Sequence, residues 1–137
     1  MAVNYVKVKR TISTGNNPGE KFLARLLRGN DVSLNQVAED IAYSTTLSPS
    51  DTLAVLMALE KVIGRYVMDG RAVKLGYLGS FIPQLSSKAV ASPNEVAVNL
   101  IKRFGCRFFP SAEFRRNLAN ASFFASDMSV KGLVLDE

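Results

Sequence analysis

At 137 residues, 47% of them hydrophobic, the chain is long enough for one folded domain and too apolar for wholesale disorder. It has no histidine and a single cysteine, Cys106, which excludes imidazole-based active sites and a disulfide framework. The net charge of +5 favours polyanionic partners such as nucleic acid or anionic lipid, and no apolar run approaches the ~18 residues that would cross a bilayer.

Val3 to Ser13 alternates apolar and basic residues, which predicts a strand with Tyr5, Lys7 and Lys9 opposite Val6 and Val8. Met1 to Arg10 lacks the apolar core of a secretory signal, so a reducing cytoplasm is the expected compartment. Thr14-Gly15-Asn16-Asn17-Pro18-Gly19 reads as a turn, and Lys21 to Arg28 reads as a returning strand, a short helix being the alternative. This segment is basic: Lys7, Lys9, Arg10, Lys21, Arg25 and Arg28 face only one acid, Glu20.

Ser33 with Gln36 three residues later has the spacing of a capping box, and Leu34, Val37, Ala38 and Ile41 form the apolar stripe of a helix ending near Thr45. Ser48-Pro49-Ser50-Asp51 starts a second helix, with serine as cap, proline in the first turn and an acid at the positive end of the dipole. That helix runs to about Met68. Its stripe of Leu53, Leu56, Leu59, Ile63 and Val67, broadened by Val55, Val62 and Tyr66, is wide enough to pack on a partner subunit as well as on its own core. Gly70 stops it.

Gly70 to Phe81 then reads as strand, glycine turn, strand, with Val73 and Leu75 on one face and Arg71 and Lys74 near solvent. Pro83 cannot donate to a ladder and implies a bulge or an edge. Ser86 to Asn99 is small and polar apart from its valines, with a turn at Pro93-Asn94. A strand over Leu100 to Phe109 follows, on which Arg103 and Arg107 share a face and Lys102 points the other way. Pro110-Ser111-Ala112-Glu113 opens a short helix with Phe114, Leu118 and Ala121 inward. From Ser122 the periodicity is weak, as in a tail or docking segment. Phe81, Phe104, Phe108, Phe109 and Phe114 read as core or subunit interface, and Cys106 as a buried hydrophobe.

The order helix, helix, three-stranded meander with a long hairpin, short helix resembles the HU and integration-host-factor family of bacterial histone-like proteins. The residues that carry the resemblance are Asp69-Gly70, Val73-Lys74-Leu75, Gly79-Ser80-Phe81, and Phe109-Pro110-Ser111 with Phe114, Arg115 and Leu118. The Gly-x-Leu-Gly-Ser-Phe form, with Tyr77 in place of the family's first close glycine, is similar to the HU-related branch described from Bacteroidetes. In that branch a basic strand segment precedes the first helix.

The resemblance implies an α+β fold with two N-terminal helices, a three-stranded antiparallel sheet with a long β-arm, a short C-terminal helix and an intertwined homodimer. It divides the chain into a basic hairpin extension (1–30), an HU-like domain (31–121, arm about 82–103) and a tail (122–137). It further implies a nucleoid-located double-stranded DNA-binding protein that contacts phosphates and the minor groove, is non-sequence-specific or structure-preferring, and is able to bend DNA. No enzyme activity, cofactor, metal, membrane or small-molecule substrate is expected.

The candidate DNA contacts are Lys74, Lys88, Pro93, Lys102, Arg103, Arg107, Arg115, Arg116, Lys7 and Lys9. Pro93 reads either as a minor-groove wedge or as a plain turn proline. Lys7, Lys9 and Arg10 either extend the DNA track or blunt an exposed edge strand. The arm departs from the family: Lys88 is its lone outgoing cation, Glu95 follows the tip proline, and Ala112 stands where a lysine is common. An alternative reading therefore keeps the dimer fold and gives the arms or the hairpin to protein assembly.

Overall fold

The computed structural model describes residues 2–126. They fall into two compact units: one comprises the chain up to Asp31 together with the segment from Leu118 onward, the other spans Val32–Asn117.

In the first unit, β1 (Ala2–Ile12) and β2 (Gly19–Leu26) form the expected hairpin, in register from Tyr5 opposite Leu26 to Ile12 opposite Gly19. Strand β6 (Ser122–Ala125) adds to β1 in parallel, Ala2 opposite Ser122 and Tyr5 opposite Ala125, so the sheet order is β2-β1-β6. The weakly periodic segment after Ser122 thus begins as a strand; the remainder of the expected tail lies outside the described residues. Among the described residues, β1 beyond Tyr5 is paired on the β2 side only.

The second unit opens with α1 (Leu34–Tyr43), capped by Ser33, whose hydroxyl accepts from the Gln36 N–H at 3.2 Å. The Gln36 side chain turns along the helix, its amide donating to Asp40 at 3.0 Å. Ala38 is buried and Leu34 and Ile41 are half-buried, but Val37 is 37% exposed and so falls off the stripe.

Helix α2 (Pro49–Met68) starts as expected. The Ser48 hydroxyl accepts from the Asp51 N–H at 3.1 Å, and buried Thr52 donates its hydroxyl to the Ser48 carbonyl at 2.9 Å. Its end is a Schellman closure: Arg71 N–H bonds the Tyr66 carbonyl (3.0 Å) and Gly70 N–H the Val67 carbonyl (2.9 Å), with Gly70 at φ 74°.

Strands β3 (Val73–Lys74), β4 (Gly79–Ser87) and β5 (Ile101–Pro110) form an antiparallel sheet in that order, followed by α3 (Ala112–Leu118). Between β3 and β4, the Leu78 N–H closes on the Leu75 carbonyl at 3.1 Å with Gly76 at φ 53°. Glycine at the first central position is the pattern of a type II′ turn. Because Gly76 supplies the left-handed backbone, Tyr77 is free to carry a side chain.

Several expectations are corrected. The arm is not a continuous hairpin: β4 ends at Ser87, β5 begins at Ile101, and the connection carries two single 3₁₀ turns, Pro93–Glu95 and Val98–Leu100. Pro83 pairs opposite Cys106 where β4 has β5 as its only neighbour, while the bulge lies farther out, between Ser86 and Ser87. Helix α3 stops at Leu118, which leaves Ala121 outside it and Leu118 exposed; of the predicted inner face only Phe114 is half-buried.

Cys106 is exposed rather than buried. It alternates with Phe104 and Phe108 on a sheet face that is open in the single chain, where Leu85 is 61% and Phe104 47% exposed. Only Phe81 and Phe108 form a close ring pair there, with centroids 5.1 Å apart.

Candidate nucleic-acid interface

Antiparallel partners share a face of a sheet, so the register of β3, β4 and β5 sorts their side chains. Lys74 lies opposite Ser80, Ser80 opposite Phe109, Ile82 opposite Arg107, Gln84 opposite Gly105 and Ser86 opposite Arg103. One face therefore carries Lys74, Arg103 and Arg107 among serine and glutamine side chains, and the other carries Phe81, Pro83, Leu85, Phe104, Cys106 and Phe108.

A hollow of about 440 Å³ is lined by Gln84, Ser86, Arg103, Gly105 and Arg107 of the polar face, together with Leu85 and Cys106 of the same two strands. Gly105 sits between the two arginines, and a Cβ there would enter open space, so its missing side chain leaves the floor clear. Arg103 and Arg107 are four residues apart, roughly 13 Å along an extended strand. The Arg107 guanidinium lies 6.0 Å from the Phe109 ring centroid on the same face. Phe109 is thus separated from the other phenylalanines and supports a cation instead of a core.

No carboxylate pairs with Lys74, Arg103 or Arg107 among the described residues, where the ion pairs are Lys9 with Glu20 and Arg28 with Asp31. These three cations are held by a ladder and presented without an internal counter-charge. The arrangement suits the oxygens of a phosphate backbone.

The remaining candidates are dispersed. Lys102 is the residue skipped where Ser86 pairs with Arg103 and Ser87 with Ile101, so it occupies the bulge and the simple alternation expected there is broken. Lys88 lies just past β4, its N–H bonded to the Leu100 carbonyl at 2.9 Å. Pro93 is exposed at the start of a 3₁₀ turn that also holds Glu95. Arg115 and Arg116 are exposed on α3, and Arg116 borders a hollow of about 360 Å³ with Tyr77, Ser111 and Glu113. Ser111 fastens that region: its hydroxyl donates to the Tyr77 carbonyl and accepts from the Phe114 N–H at 3.0 Å. In the other unit, Lys7 and Lys9 share a face of β1, and Lys9 is ion-paired with Glu20.

One cationic group escaped sequence reasoning. Arg65 and Arg71 both stack on Tyr66, with guanidinium carbons 5.3 Å and 5.1 Å from the ring centroid. Arg71 reaches the ring because the Schellman closure folds the chain back over the last turn of α2. Only the Asp69-Gly70 stop signal hinted at it.

A family described as an HU domain fused to winged helix-turn-helix, immunoglobulin-like or glycine-rich motifs matches residues 1–124. The chain belongs to that HU-HIG family. Membership extends over the basic hairpin as well as the helices and arm. No curated protein matches the chain. Among solved structures, the chain is similar to a crystal structure from Bacteroides vulgatus ATCC 8482, provisionally named as a bacterial DNA binding protein. The TM-score is 0.63 at 10% identity, over 90% of this chain and 48% of that one. At this identity the likeness concerns the fold, and this chain spans about half the length of its neighbour.

Proposed function

We propose that this protein binds double-stranded DNA as a homodimer of histone-like type, through phosphate and minor-groove contacts, with preference for DNA structure rather than sequence, and that it acts at the nucleoid. The carrying observation is the β3–β4–β5 face, where Arg103 and Arg107 line a hollow and Lys74 shares their face, all three with no carboxylate partner among the described residues. Membership in an HU-domain family supports this reading, as does the name of the Bacteroides neighbour.

Binding by such a face is electrostatic and reads backbone geometry, so it discriminates by the ease of deforming the duplex. Nothing in the proposed role requires a catalytic group, a cofactor or a metal.

The dimer is supported by how little one chain buries. Among the described residues, only Val6, Ala38 and Val67 are buried hydrophobics, while α2 exposes Val55, Leu59 and Val62 and the second sheet face exposes Leu85, Phe104 and Phe108. A second copy is the occupant that would give these faces a core.

A second reading, protein assembly through the arms, is favoured by the arm tip, where Glu95 stands beside exposed Val96 and Val98. A salt titration of duplex binding by fluorescence anisotropy separates the two. DNA binding predicts a log–log slope of about −0.9 per phosphate neutralised, and R103A/R107A should shallow it by about 1.8 per chain engaged, up to about 3.6 for the dimer. Absence of binding to nicked or bent duplex at ~50 mM salt would leave assembly as the surviving reading.

A further inference from the structure

We infer that the β1–β2 hairpin carries a second phosphate-backbone contact for duplex DNA, formed by Arg10, Lys21 and Arg25. The inference rests on the DNA-binding reading above and locates a separate site for it.

The register places Arg10 directly opposite Lys21, and Val6 opposite Arg25, so all three cations lie on one face of the hairpin. Two like charges directly opposite each other destabilise an isolated sheet. A nearby acid could have relieved them, but Glu20 pairs with Lys9 on the other face. Among the described residues no carboxylate pairs with Arg10, Lys21 or Arg25.

Between these cations the same face holds Val8 opposite Leu23, which gives the side chains a fixed apolar base. Lys21 and Arg25 are four residues apart, roughly 13 Å of strand. Beside Arg10 the chain forms a hollow of about 340 Å³ lined by Arg10, Thr11, Ile12, Ser13, Thr14 and Leu23. Thr11 belongs to the opposite face with Glu20, so Arg10 is joined at the hollow by the hydroxyl-bearing Ser13 and Thr14 that follow the strand, and phosphate oxygens accept from both kinds of donor.

The competing use of these charges is to guard open strand edges against pairing with other chains. That use needs charge but no hydroxyl-lined hollow, and it predicts a different phenotype.

The test compares full-length wild type, R10Q/K21Q/R25Q and R103A/R107A on one duplex between ~50 and ~200 mM salt. The hairpin variant should shallow the log–log slope by up to about 2.7 per chain engaged, or about 5.4 for the dimer, and K21Q alone by about 0.9 per chain. R10K/R25K should restore the wild-type slope, because charge is kept. An unchanged slope in the hairpin variants, with a shallower one in R103A/R107A, overturns the hairpin site and leaves the DNA reading intact. Aggregation without a slope change assigns the charges to edge protection and also overturns it. If wild type binds no duplex, both readings fall together.

Discussion

Gly79 meets the backbone of β5 so closely that no other residue fits. It is buried at φ 145°, and a Cβ would stand 2.2 Å from the Phe109 carbonyl oxygen and 2.9 Å from the Pro110 Cα. Those neighbours are backbone, held by the Gly79–Pro110 pairing, and cannot rotate away. Gly79→Ala combines a disfavoured backbone angle, about 1–3 kcal/mol, with overpacking of similar size. A loss of about 3 kcal/mol or more is expected in urea unfolding measured at matched protein concentration; a loss under about 1 kcal/mol would contradict the close approach. Sequence alone marked Gly79 as a turn residue. The clash with β5 depends on a strand more than twenty residues away, which no local pattern encodes.

The elements show the same division. Both long helices were legible because their starts are local chemistry: Ser33 and Ser48 each cap an N–H three residues on. The hairpin was legible from alternation and the Gly15–Gly19 turn. Strand β6 was not, since its four residues pair in parallel with a strand at the other end of the chain. The arm's return strand was legible, expected from Leu100 and found from Ile101, and Ser87 to Leu100 is mostly its connection. Ser92-Pro93-Asn94-Glu95 favours a tight turn, and the chain spends its connection on 3₁₀ turns instead of a longer ladder. If the arm tip approaches DNA, Glu95 opposes it. Glu95→Lys should then tighten duplex binding and steepen the salt slope by about 0.9 per arm tip engaged, for the charge it adds to the phosphate contact. No change in either would place the tip away from the backbone.

At the scale of the whole molecule, the breadth of the α2 stripe becomes an exposure problem. Val55 is 60% exposed in the single chain, and the apolar face of the second sheet is similarly open. Burial of about 25 cal/mol per Å² makes such faces a strong drive to associate. Sedimentation at micromolar concentration should give about twice the 14.9 kDa chain mass, and V55D/V62D should shift it to a single chain. A wild type that sediments as one chain would contradict the dimer. Dimer loss should also weaken DNA binding, since it removes one of two cationic faces from each complex.

The sequence by itself determined the helix starts, the glycine turn, the hairpin and the excess of cations, because each depends on residues a few positions apart. Only the tertiary structure decided which cations act together. Strand register put Arg103 and Arg107 on one face with Lys74, set Lys102 into a bulge, and engaged Lys9 with Glu20 while Arg10 faces Lys21. Charge is a property of composition, but a binding surface requires charges to share a face, and shared faces are created by pairing between distant segments.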